Sequence, residues 1–267
     1  MIPREQKRAR WFLLVPVALV IALLPVQAQI RKSPAYHNEY SLGQVKGLRE
    51  GGTIAIIAMI GGFRPLVANL LWLKVDGYWH KGPTGYWRMV PILNTICEMD
   101  PHFIDAWSTF GWHCAWNIWN DAAPQDRDKW TQTGIDVYKR GQYFNPDRYE
   151  LYKDLAWLYH DKLRDYTRAI PEWKKTLAHK DAPIYCRHML AHAYEQTGQW
   201  KLAVETWKEC VKQDRRDHIA KQAIEWWQEQ SKSPETLQAE INRLRERDER
   251  IRRSRGLPTM EQYHGMR

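Results

Sequence analysis

The chain has 267 residues, 44% hydrophobic and 27% charged, with a formal net charge of +9. That length is enough for one or two domains with a sizeable core. Eight basic and three acidic side chains fall in residues 1–50, leaving only +4 on the rest, so the body lacks the concentrated basic face of a nucleic-acid binder. Cys97, Cys114, Cys186 and Cys210 form no Cys-x-x-Cys pair, which argues against a zinc ribbon, a thioredoxin-like motif and c-type haem attachment.

Trp11 to Ile30 is free of charged residues. Twenty residues as a helix span about 30 Å, the thickness of a hydrocarbon core. Pro16 and Pro25 are tolerable in lipid, where neighbouring groups satisfy the freed carbonyls. Residues 1–32 therefore read as a single-pass anchor in a cytoplasmic membrane. Arg4, Lys7, Arg8 and Arg10 precede the apolar run, which by the positive-inside rule keeps the N-terminus cytoplasmic and places the body outside, in the periplasm. Arg31 and Lys32 weaken that orientation. A cleaved signal peptide is the rival reading, with Val26-Gln27-Ala28 offering small residues to a peptidase.

Residues 33–52, with Pro34, Gly43, Gly47, Gly51 and Gly52, read as a stalk. Thr53 to Phe63 is apolar but short for a span and reads as a helix on the first repeat of a solenoid over 53–230. Repeats are expected at about 66–101, 104–146, 149–183 and 184–217. The last two share one shape. Leu155, Ala156, Tyr159, Ala169, Trp173 and Leu177 recur as Leu190, Ala191, Tyr194, Ala203, Trp207 and Val211. Small residues let two helices approach, and the aromatic residues fill the space beside them. Gly198 suits the tight turn between the helices. The 149–183 unit has one extra residue in its turn, and Pro171 sits in the first turn of its second helix. In 104–146, Gly111 and Gly134 are 23 positions apart where Ala191 and Ala203 are 12 apart; an insertion near residues 117–126 is implied. The 66–101 unit is the most degenerate.

These positions resemble a tetratricopeptide repeat (TPR), a family of helical hairpins stacked at a period of about 34 residues. The chain as a whole resembles membrane-anchored bacterial TPR proteins. The expected fold is all-α: a TPR-like solenoid, an N-terminal transmembrane helix and a C-terminal charged helix. Residues 218–230 read as a cap with Trp226 and Trp227. Ser233-Pro234-Glu235 opens a helix over 233–255 that reads as solvated and held by its own ion pairs; pairing with a partner, self-association, and binding to anionic lipid or nucleic acid are alternatives. Residues 256–267 read as a disordered tail.

The resemblance implies that the first helix of each hairpin lines a groove for a protein or peptide, here an envelope or membrane protein. Position by position it nominates Asp105, Ser108, Trp112 and Trp116; Glu150, Lys153, Trp157 and His160; and Tyr185, His188, His192 and Glu195. Each Trp also has a plain reading as filler between helices. His188 and His192, one turn apart, are half of a metal site without the glutamate of a metalloprotease motif. His113-Cys114 lacks a third orienting group. The cysteines read either as two hairpin disulfides, Cys97–Cys114 and Cys186–Cys210, or as four buried thiols. No catalytic residue, metal or cofactor is expected. The expected function is a membrane-tethered scaffold without catalysis. A structural subunit of a membrane complex is the alternative, and a metal or cofactor protein using the His/Trp groove is a further one.

Overall fold

The computed structural model describes residues 62–265. The predicted anchor (11–30), the stalk (33–52) and most of the 53–63 segment lie outside them. Among the described residues there are helices and turns but no strand, and no helix is long and apolar enough to cross a membrane. The chain divides into two compact units at Asp100 and Pro101.

The first unit contains the hairpin of α1 (Arg64–Trp79) and α2 (Pro83–Met99). Pro83 sits at the start of α2, where its missing N–H costs nothing. Arg64 donates to the Glu98 carbonyl at 2.5 Å, and the Trp79 and Tyr86 rings lie 5.8 Å apart. Met89, Leu93 and Ile96 of α2 are fully buried, whereas Leu66, Leu70 and Leu73 of α1 are exposed. Their spacing puts those three leucines along one helix face.

In the second unit, α3 (Ile104–Trp112) pairs with α4 (Arg127–Phe144), α5 (Tyr149–Trp157) with α6 (Tyr166–Leu177), and α7 (Tyr185–Gln196) with α8 (Trp200–Gln213). Each helix packs mainly on its chain neighbours, and α3 also reaches α5. Local stacking of this kind is how repeat proteins build a core. The packing is TPR-like. Ala156, Ala169, Ala191 and Ala203 are fully buried at the helix contacts, with Trp173 and Trp207 fully buried beside them.

Both irregular spacings have a helical explanation. In the second hairpin, α5 continues into a π-helical turn, Leu158–Lys162, where Leu163 N–H reaches back to the Leu158 carbonyl at 3.1 Å. The extra residue is therefore absorbed in the helix end, and the expectation that it lengthens the turn is corrected. A wider ring accommodates one residue without moving the faces on either side. In the first hairpin, α3 runs on through a π-helical stretch, His113–Ile118, into Trp119–Asp121, and the 3-10 turn Pro124–Asp126 leads to α4.

Gly111 and Gly134 meet where α3 crosses α4. A Cβ at Gly134 would lie 2.8 Å from the Gly111 carbonyl oxygen and 3.1 Å from Ala115 Cβ. Glycine inside a helix costs about 1 kcal/mol relative to alanine, so on propensity alone Gly134→Ala would stabilise. Because the contact is with backbone, the opposite sign is expected: a loss of about 1–3 kcal/mol from overpacking, read from a denaturant midpoint. A stabilised variant would place the crossing elsewhere.

Beyond the hairpins come α9 (His218–Gln230), α10 (Pro234–Ser254) and α11 (Met260–Gly265). Asp217 caps α9 by accepting from Ala220 N–H at 2.9 Å. Ser233 caps α10 by accepting from Glu235 and Thr236 N–H at 3.2 and 3.4 Å. The solvated-helix reading of α10 is corrected, because α10 packs on α7 and α9. Leu244 joins Val204 and Trp227 in a buried cluster, and Ile241 covers the turn glycine Gly198. Arg252 is only 1% exposed; it donates to the Leu163 carbonyl and, through Nε at 2.8 Å, to the Pro258 carbonyl. Asp248 accepts from Tyr166 Oη at 3.1 Å. The helix is thus clipped across the turns of the second and third hairpins. The disordered-tail reading is likewise corrected for its first part. Leu257 is buried, and Met260 N–H donates to Glu249 at 3.1 Å.

Candidate functional site

The first helices α3, α5 and α7 present their side chains in columns, one position per hairpin. Asp105, Glu150 and Tyr185 form one column, and Ser108, Lys153 and His188 a second. Trp112, Trp157 and His192 form a third, with the two indoles 39% and 40% exposed. All nine side chains are exposed or half-buried. Trp112 stacks on half-buried Trp116 with ring centroids 6.3 Å apart, which extends the aromatic strip along α3.

The structure joins two helices within the second column through a residue not nominated from sequence. Asp154 accepts from Ser108 Oγ and lies 3.2 Å from Lys153 Nζ. Burial pushes the Asp154 carboxyl above its ordinary range, against the pull of Lys153 and the Ser108 hydrogen bond. This contact ties α3 to α5 in the open surface.

The other two nominated residues occupy different ground. His160 is 6% exposed and Glu195 9% exposed, and both serve as internal acceptors. They are equivalent positions in successive hairpins. His160 Nδ1 accepts from Trp173 Nε1 at 3.2 Å. Glu195 Oε1 accepts from Trp207 Nε1 and Trp227 Nε1, both at 2.7 Å, while Oε2 lies 2.8 Å from His192 Nδ1. An indole N–H can only donate, so a buried indole needs an acceptor at that place. Their first task is therefore internal, although both also line the pocket described below. In the first hairpin the same place holds Ala115, and Tyr138 Oη turns instead to the Ser108 carbonyl at 3.4 Å.

The electrostatics follow. Burial opposes the Glu195 carboxylate, but the His192 hydrogen bond and charge and the two indole donors outweigh it and hold the acid below its usual value. Burial drives His160 down from 6.5 to about 3, helped by His192 and Arg164. His160 is therefore neutral, as acceptance at Nδ1 already requires.

The candidate dyad His113-Cys114 is fully buried. His113 Nδ1 pairs with Asn117 at 3.1 Å, and burial raises the Cys114 thiol to about 12, where thiolate chemistry is suppressed. All four cysteines are buried free thiols. His188, Cys210 and Asp217 each bring one donor atom within 4.8 Å of the others. Each already has a structural task. His188 Nε2 lies 2.7 Å from Asp217 Oδ2, Asp217 caps α9, and Cys210 fills a fully buried small-residue place in α8.

Where α5 ends, α7, α9 and α10 border an open pocket of about 490 Å³, lined in part by Arg164, Gln196, Trp226, Trp227, Arg243 and Arg247. None of these six was singled out as a site residue from the sequence. Arg164 carried a signal: it stands in the turn where the next hairpin has Gly198, and both adopt left-handed backbone, with φ of +52° and +74°. Alignment of the two turns shows an arginine where glycine fits best. Arg247 carried none, since its place depends on how α10 folds back.

No protein-family model matches the chain, and no curated protein matches it in sequence. Among solved structures it is similar to TTC0263, a thermophilic TPR protein in Thermus thermophilus, at 16% identity and a TM-score of 0.41, over 68% of this chain and 96% of that one. It is also similar to MamA MSR-1 C2, at 19% identity and a TM-score of 0.42, over 67% of this chain and 99% of that one.

Proposed function

We propose that this protein is a membrane-tethered docking scaffold, without catalysis, that holds a protein or peptide partner on the open columns of α3, α5 and α7. The observation that carries the reading is the exposure of Trp112 and Trp157 at equivalent places in successive hairpins. Exposed indoles are costly to leave in water and give large contact area at low entropic cost. The Ser108–Lys153–Asp154 cluster beside them supplies polar groups that set register. Tethering through residues 11–30 is part of the proposal, with the body in the periplasm. The exposed Leu66, Leu70 and Leu73 face of the first unit is compatible with work close to a bilayer.

The partner is one that crosslinks to the native protein in its own membranes. Trp112→Ala with Trp157→Ala is expected to leave the helical circular dichroism unchanged and to abolish the crosslink, a loss of at least about tenfold for two hot-spot aromatics. Retention of the crosslink in the double variant would remove the columns from the binding surface.

A further inference from the structure

An apolar row on α1 has no part in the columns. Ala68 and Val75 lie on one side of α1 and are buried where it packs on α2. Leu66, Leu70 and Leu73 lie on the other side, 56%, 56% and 67% exposed. At 3.6 residues per turn the two rows stand about 180° apart. A helix that is apolar on both sides is one that is covered on both sides, and α2 covers only one.

The surroundings of the row fit a lipid surface. Phe63, just before α1 and one turn ahead of Leu66, is exposed as well. Thr53 to Ile60, which leads to α1 through Gly61-Gly62, carries no charge. Residues 31–63 separate the uncharged run Trp11 to Ile30 from α1, and a flexible coil of that length spans about 30 Å. A chain anchored by that run therefore delivers α1 to the bilayer surface. Exposed Lys74 stands one turn after Leu70, at the edge of the row. At the hairpin tip Lys81 and Arg88 gather over the Tyr78 ring, 5.0 and 5.9 Å from its centroid, with Trp79 and Trp87 exposed nearby. Cations and aromatic side chains flanking an apolar row are the composition of an interfacial helix. Asp76, at the other edge, is the only acid in residues 62–90 and lies 3.7 Å from His80.

Dimensions separate the possible occupants. With 16 residues, α1 is about 24 Å long, short of a hydrocarbon core of about 30 Å, and it contains Arg64 and Lys74. It can lie on a bilayer but not cross one. From Phe63 to Leu73 the row is about 15 Å long and one side chain wide, too little for the roughly 800 Å² per partner of a stable protein interface. A lipid surface sets no such minimum, because an anchor holds the helix at high local concentration beside it.

We infer that α1 lies in the plane of the membrane, with Leu66, Leu70 and Leu73 at the acyl boundary and Lys74 at anionic headgroups. The inference rests on the tether in the docking reading above and deepens it, because it gives the chain a second lipid contact outside residues 11–30.

The test is a nitroxide scan of the full chain in liposomes of phosphatidylcholine and phosphatidylglycerol. The four native cysteines are buried, so labels go to single introduced ones: Leu66→Cys, Leu70→Cys, Leu73→Cys and, at the edge, Asp76→Cys. All four positions are exposed, so folding is expected to survive each change. Oxygen collides with labels in acyl chains, and a nickel chelate collides with labels in water. The leucine-site labels are expected to favour oxygen, at a depth of about 5–10 Å, and the Asp76-site label to favour nickel. Flotation of the vesicles reports the tether separately. A chain that floats while its leucine-site labels favour nickel overturns this inference and leaves the tether standing. Leucine-site labels shielded from both reagents assign the face to a protein cover, residues 53–60 or a second copy, and overturn it as well. A chain that does not float with the vesicles overturns both.

Discussion

Truncating Trp207 to alanine is expected to lower the unfolding free energy by about 3–5 kcal/mol, the range for a large aromatic residue removed from a core. Trp207 is fully buried between α7 and α8. Its ring lies edge-on to His188 and His192, with centroids 5.1 and 4.8 Å away, so truncation leaves a cavity beneath both. It also removes one of the two indole donors from Glu195, an acid held in its charged form by those donors and His192. Trp207→Phe separates the two contributions. It keeps a six-membered ring but loses the N–H and part of the indole's volume, so a cost of about 1.5–3 kcal/mol is expected for the hydrogen bond to a charged group, with a smaller addition for the lost ring atoms. Denaturant titration with an unchanged m-value measures both. A loss below about 1 kcal/mol for Trp207→Ala would mean that this tryptophan is not the wedge of the third hairpin.

The second large effect is acid sensitivity centred on His160. Its ordinary pKa of 6.5 falls to about 3 in the folded chain, chiefly through burial. Above pH 6.5 the imidazole is neutral in both states, and its contribution to stability is complete. As the pH falls from 6.5 toward 3 the unfolded chain takes up the proton and the folded chain does not, so stability declines by up to about 1.4 kcal/mol per pH unit. Glu195 works in the same direction at lower pH. Its depressed acid contributes above the unfolded value, and that contribution is lost as pH falls through the folded one. Asp154 and Asp248 oppose both, because burial raises their carboxyls and the folded state then binds protons more readily. His160→Gln isolates the histidine: its amide oxygen can accept from Trp173, but it does not titrate. Between pH 6.5 and 4.5 the wild-type melting temperature is expected to fall more steeply than that of the variant. Parallel curves would show that His160 is not held neutral by the fold.

The indole acceptors explain why part of the candidate surface was misread. A column of first-helix residues looks uniform in sequence because helical spacing repeats it. Burial, however, depends on what neighbouring helices place over each position. At the place shared by His160 and Glu195 the side chain is buried and receives an indole N–H from the second helix. Polar residues there suggested a groove, although the cause was the donor chemistry of Trp173 and Trp207. A polar residue twelve or thirteen positions before a core tryptophan in successive hairpins is the signal that was available.

From the sequence alone came the helical class, the two regular hairpins over 149–217 and the crossing at Gly111 and Gly134. These follow from side-chain size at fixed spacing: small residues where helices touch and aromatic ones beside them, a local property of the chain. Tertiary structure alone decided that an arginine-rich helix of thin apolar seam would lie down. Leu244, Asp248 and Arg252 find their partners at Trp227, Tyr166 and the Leu163 carbonyl, and the last two partners are more than eighty residues away along the chain. A buried charge is tolerated only where acceptors already stand in place, and contacts at that separation leave no periodic trace in the sequence. The same fold-back that satisfies Arg252 forms one wall of the open pocket and carries Arg247 to it.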